Sequence, residues 1–281
     1  MKEKQAMPID LSKCIGETIN HVGDLEVSGD IANNVTINIM QGSLTVNGNI
    51  GKNVIIIIKF DRKKISTSSA AANQSSNSGF IKIAGHVNRH CKINTTFGDI
   101  VIQGNLKKGL FLRTQHSNIK IKNLSNYSNA YTSHGTIAVN NIGELCFINI
   151  VHGYLRVNGN IDKKSVLTGL ESSFKIQGDL KEEVKFSTTD GNIEIKGHIH
   201  AKCNGGLQNS DPENYKKITA PSCDPSVHFS TKGLVTKEIN MQSTMFCNYN
   251  RKEIFLLYNT TPSPEPAVNI FLSKSNIAFK K

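Results

Sequence analysis

A nine-residue pattern, Gly-x-Φ-x-Φ-x-Gly-x-Φ with Φ apolar, returns along residues 23–199 at a nearly fixed interval, and few folds accommodate such self-similarity. It reads GDLEVSGDI, GSLTVNGNI, GFIKIAGHV, GDIVIQGNL, SNIKIKNL, GTIAVNNI, GYLRVNGNI, SSFKIQGDL and GNIEIKGHI. The copies begin at residues 23, 42, 79, 98, 117, 135, 153, 172 and 191, at intervals of 19, 37, 19, 19, 18, 18, 19 and 19. A turn of 18–19 residues explains every interval but the second, which is one turn plus 18 extra residues. Those fall near 61–78, in a Ser/Ala/Asn-rich stretch that reads as a loop insertion, with a degenerate tenth turn as the alternative.

Within each copy the third and fifth positions are apolar and their neighbours mostly polar, as in Ile100 and Ile102 or Ile119 and Ile121. This is period 2, a strand with one buried face, and the β-branched content argues against helix. A second short strand follows, with inward columns that run through Val35, Val54, Cys91, Leu110, Cys146, Val184 and Cys203, and through Ile37, Ile56, Ile93, Leu112, Ala130, Ile148, Leu167 and Phe186. Between the strands sits Gly29, Gly48, Gly85, Gly104, Gly159, Gly178 or Gly197, with Asn123 and Asn141 in the two shorter turns. Gly and Asn tolerate positive φ, which predicts a sharp corner there. A one-residue deletion at the corner explains the two shorter turns.

A β-sandwich does not require identical columns at one fixed interval. A parallel β-helix does, because each turn stacks on the last. The sequence therefore predicts an all-β fold: a single-stranded parallel β-helix of nine turns, about 43 Å long at about 4.8 Å per turn. The right-handed form is favoured, since the repeat length is not a multiple of the hexapeptide period of the left-handed type. Residues 1–22 are expected to cap the N-terminal end, with one helical turn in PIDLSKCIG (8–16). The β-helix spans 23–205. Residues 206–281 form a C-terminal cap or small appended β region, in which 206–225 is a linker and 227–235, 253–259 and 267–272 are strand candidates.

The repeated segments, GDLEVSGDI and GDIVIQGNL among them, resemble the turns of two β-helical groups. One is the bactofilins, bacterial polymer-forming scaffolds. The other is the head domain of autotransporter adhesins. The resemblance covers residues 23–203 and implies fold and turn chemistry, with no catalytic motif to carry over. The extension after 206 and the insertion at 61–78 depart from the simple bactofilin pattern and put end-to-end polymerisation in doubt.

No phosphate-binding loop, dinucleotide fingerprint, His-Glu-x-x-His or Cys-x-x-Cys occurs, and nothing in the sequence calls for a metal or cofactor. Cys91, Cys146 and Cys203 share one inward column three turns apart, about 14 Å, beyond disulfide reach. They read as small core residues and favour a reducing compartment, which leaves Cys14, Cys223 and Cys247 as the available partners. No apolar run approaches the roughly 20 residues of a membrane-spanning helix, and no apolar leader is visible. The expected location is cytoplasmic, or exported without a classical signal peptide.

Three surface features stand out. His116, His134 and His152 each precede a turn, and Glu171 and Asp190 continue their column, which predicts a corner ladder. Lys82, Lys120, Lys122, Arg156, Lys175 and Lys196 point outward on the first strand; with the net charge of +11 they form a basic face suited to an acidic glycan or anionic surface. Nucleic acid is disfavoured, because no outward aromatic side chains interleave with these cations. Ile55, Phe111, Phe147 and Val166 share an outward column on the second strand, which predicts cover by the C-terminal region or by a second rod.

Two classes of function follow. The preferred one is a non-enzymatic interaction or scaffold protein that assembles with itself or with a protein partner. The other is a glycan-active β-helix enzyme, a lyase or hydrolase, with His152, Glu171 and Asp190 beside Arg156 as its best site. A bacterial effector or surface adhesin-like protein is a weaker third reading.

Overall fold

The computed structural model describes residues 9–60, 79–210, 216–224, 226–232, 235–241 and 258–259, with side chains described through Ser230. These residues form an all-β parallel solenoid of about ten turns, and no helix occurs among them. The first strands of successive turns stack into a 13-stranded sheet and the second strands into an 11-stranded sheet. Every pairing between the described strands is parallel, and within the regular repeat the register follows the sequence columns: Ile119 lies against Ile100 and Ile137, and Leu112 against Ile93 and Ala130.

A third, narrower stack completes each turn. Ile31, Ile50, Val87 and Leu106, then Leu124, Ile142, Ile161, Leu180 and Ile199, bridge rung to rung at the last position of the nine-residue pattern. All are buried, so the core is lined from three directions by Ile, Leu and Val. The buried thiols fit here. Cys91, Cys146 and Cys203 are free, and each donates to a main-chain carbonyl at 3.0–3.1 Å, those of Gly51, Ser125 and Lys181. Burial pushes all three thiols up to about 11. Below that pH they carry almost no thiolate, the reactive form. Iodoacetamide at about pH 8 should therefore leave them unmodified in the native protein and alkylate all three on unfolding, as read by mass spectrometry. Rapid native labelling would mean that the column faces solvent.

The extra residues at 61–78 lie outside the described residues, but the strands that flank them are described. Strand Leu44–Val46 pairs directly with Ile81–Ile83, and Ile55–Lys59 directly with Lys92–Thr95. No described rung lies between these pairs.

In three places the structure differs from expectation. In place of a helical turn over 8–16, Ile9–Leu11 is a strand on Leu25–Ile31, and Thr18–Val22 pairs with Thr36–Met40; among the described residues the stacking begins here. The repeat does not stop at 205 either. Lys216–Ala220 pairs with Ile193–Ile195, Val235–Met241 stacks on that, and His228–Lys232 pairs with Asn204–Gln208. The sequence column is lost there because the step from Ile193 to its partner Ile218 is longer than that of the regular turns. Of the other C-terminal strand candidates, Tyr258–Asn259 pairs with Asn240 and Met241; 253–257 and 267–272 lie outside the described residues.

The third difference concerns the corner glycines. Gly29, Gly48, Gly85, Gly104, Gly159, Gly178 and Gly197 do not adopt positive φ. From Gly48 onward the reason for Gly is close approach, because a Cβ at Gly104 would be driven into the Gly85 carbonyl, and one at Gly197 into that of Gly178. Left-handed backbone is used at another corner, before nine of the strands of the 11-stranded sheet. Asn34, Asn53, His90, Gly109, Tyr127, Leu145, Lys164, Glu183 and Lys202 all have φ between 54° and 76° there. Asn123 and Asn141 pair with each other one place further on, where Asn160 also stacks; the shorter turns have deleted the glycine itself.

Candidate functional site

Asn and Asp side chains at the corners hold the rungs together. Asp30 Oδ1 accepts the main-chain N–H of Asn49, Asn49 that of His86, Asn160 that of Asp179, and Asp179 that of His198. Each caps a donor that the corner would otherwise leave unpaired. The abundance of Asn in the sequence thus has a structural cause, and the corner is the background against which functional side chains must be read.

The histidine ladder forms. Ring centroids of His116 and His134 are 4.8 Å apart and those of His134 and His152 5.0 Å, both stacked, and Phe97 extends the row at 4.9 Å from His116. His152 Nδ1 lies 2.8 Å from Glu171 Oε2. Asp190 turns instead to Ser210, accepting its N–H at 2.5 Å and bonding its hydroxyl. The three histidines do not converge as a metal-ligand set; stacked rings in a row present their nitrogens side by side.

On the 13-stranded sheet the outward column runs Glu26, Thr45, Lys82, Val101, Lys120, Ala138, Arg156, Lys175, Glu194 and Thr219. Lys82, Lys120 and Arg156 therefore stand two rungs apart, with small or apolar neighbours between them. Lys175 and Lys196 both reach Glu194, at 3.3 and 3.9 Å. Lys82, Lys120, Lys122 and Arg156 make no ion pair with a described residue. Tyr154, 61% exposed and two residues before Arg156, is an outward aromatic side chain on this face that the sequence reading overlooked.

The apolar column is outward as expected but broken. Lys92 lies between Ile55 and Phe111, Asn129 between Phe111 and Phe147, and Lys185 follows Val166. The Lys92 ammonium sits 5.8 Å from the Phe111 ring centre. Phe147, 42% exposed, stacks directly on Val166. The C-terminal strand expected to cover this face, 227–235, contributes His228–Lys232 to the end of the 11-stranded sheet instead.

A polar cluster near the C-terminal end had no signal in the column analysis. Asp179, Lys181, His198, His200, Ser222 and Asp224 gather there from three successive rungs. His198 and His200 were detectable as a His-x-His pair on one strand face, but Asp224 belonged to a segment read as linker.

No protein-family model matches the chain, and neither do any curated proteins or solved structures. No helix among the described residues is long and apolar enough to cross a membrane.

Proposed function

We propose that the chain is a non-enzymatic interaction module that binds an acidic partner along the outward face of the 13-stranded sheet. The observation that supports this best is the row of unpaired cations: Lys82, Lys120 and Arg156 at two-rung steps of about 9.6 Å, with Lys122 beside them. An extended polyanion laid along the rod would meet a positive charge at each step, and the net charge of +11 would draw it in. An acidic glycan or anionic surface fits better than nucleic acid, since Tyr154 alone does not make a row of stacking platforms. Heparin retention at about 0.15 M salt tests the reading. The native protein should be retained, and the Lys82→Gln, Lys120→Gln, Lys122→Gln, Arg156→Gln variant should bind at least about tenfold more weakly, while Lys107→Gln with Lys108→Gln changes little. Failure of the native protein to bind, or undiminished binding by the fourfold variant, would overturn it.

A second reading, self-association, rests on the exposed Phe147–Val166 step. A polymer-forming scaffold of the bactofilin kind, or an adhesin head, is its finer form. Light scattering across protein concentration, with Phe147→Ser as the control, separates this from a monomeric binder. The glycan-active alternative keeps only the His152–Glu171 pair, because Asp190 is taken up by Ser210. A reducing compartment accords with the three free buried thiols.

A further inference from the structure

We infer that His198, His200 and Asp224 form a binding site for a divalent transition-metal ion of the zinc class, joining two rungs near the C-terminal end of the rod. The sequence places His198 and His200 two apart, so both side chains leave the same side of the chain. Asp224 comes from the next rung, where Ser222–Cys223 pairs with His198–Ile199. One donor atom from each of the three residues lies within 4.8 Å of the others. Bonds of about 2.0–2.1 Å to a tetrahedral ion require donor separations of about 3.3 Å. His198 Nε2 and Asp224 Oδ1 are already 2.9 Å apart, and the rest of the closure is within reach of side-chain torsions in groups about one-third exposed.

The surroundings also suit ligation. His198 Nδ1 lies 2.7 Å from Ser222 Oγ. Without an ion, Nε2–H donates to the Asp224 carboxylate and Nδ1 accepts from the Ser222 hydroxyl; on ligation the ring proton moves to Nδ1, where Ser222 Oγ accepts it, and Nε2 is freed as a ligand, the orientation that partners of metal-binding histidines impose. Asp179 anchors the strand by accepting the His198 N–H at 2.9 Å, and its Oδ2 sits 3.7 Å from His200 Nε2, beside the three donors. Two imidazoles and one carboxylate, with water in the fourth position, are a donor set for zinc, and equally for cobalt as a probe. The Lys181 ammonium lies 3.4 Å from His200 Nε2 and 3.0 Å from Asp179 Oδ2. It is the cation that His200 and Asp179 hold without an ion, and its partly exposed chain is free to swing outward when a doubly charged ion arrives. The consequence is structural. The step between these rungs is the lengthened one from Ile193 to Ile218, where the regular interval of the stack is lost. A metal bridge across it would pin the C-terminal rungs.

The whole chain is titrated with Zn²⁺ by calorimetry and with Co²⁺ by visible absorption. One equivalent of Zn²⁺ should bind, Co²⁺ should give the intense visible bands of a tetrahedral N/O site, and Zn²⁺ should raise the unfolding temperature. His198→Gln with His200→Gln should abolish all three, and His116→Gln with His134→Gln should abolish none. Lys181→Met, which removes the competing cation without touching a ligand, should bind Zn²⁺ about tenfold more tightly. Absence of stoichiometric binding in the native chain overturns the site. So does binding retained in the His198/His200 variant, or an unchanged affinity in Lys181→Met.

Discussion

Gly104→Ala should destabilise the protein by about 3 kcal/mol, whereas Gly29→Ala, the same position of the same motif, should change stability by less than about 0.5 kcal/mol. The two glycines look alike in sequence, and neither has positive φ. They differ in what lies on the preceding rung. A Cβ on Gly104 points into the main-chain carbonyl of Gly85, far inside van der Waals contact, and backbone held by rungs on both sides cannot retreat from it. Gly29 is the first member of the stack, and nothing lies within 4 Å of a Cβ built there. Alanine there meets open space. Urea unfolding of the two variants against the parent measures the difference directly. Equal effects, in either direction, would show that the glycines are kept for backbone freedom and not for the approach of one rung to the next.

This contrast also marks how far the sequence could be read. Period 2 at Ile100 and Ile102, repeated at the interval of the turns, defines both strand and stacking partner, so the two large sheets and their register were legible. Gly104 was legible as a corner but not in its cause, because a one-letter pattern does not say whether a missing side chain serves torsion or space. The left-handed corner was hidden because Tyr127, Leu145 and Glu183 are not residues that announce positive φ; rung-to-rung hydrogen bonding overrides local preference there. The histidine ladder was legible, since stacking follows from equal spacing. The His198–His200–Asp224 cluster was not, since the lengthened step before Ile218 moved Asp224 out of phase with the repeat.

Ile121→Asp should have the largest effect of any single substitution, and its form should differ from that of the same lesion at the rod's end. Ile121 is 4% exposed and pairs with Ile102 on the neighbouring rung, in the middle of the stack. An aspartate there loses the burial of the isoleucine, about 2–5 kcal/mol for a truncation of that size. It also buries a carboxylate among apolar side chains, a cost of several kcal/mol more. A solenoid's stability is close to a sum over adjacent rungs, so removing one central interface uncouples the turns before Ile121 from those after it. Thermal unfolding followed by circular dichroism should therefore show two separated transitions at about pH 7, or no folded protein. Leu11→Asp, equally buried at 2% but on the first described strand, has stacked neighbours on one side only among the described residues. It should fray that end and leave one main transition within a few degrees of the parent. The sign with pH follows from burial, which raises the new carboxyl's pKa in the folded state above its unfolded value. Ile121→Asp should thus recover part of its stability as pH is lowered toward about 4, where the group is neutral, and lose it as pH rises. An Ile121→Asp protein that unfolds in one parent-like transition at neutral pH would mean that this column does not face the core.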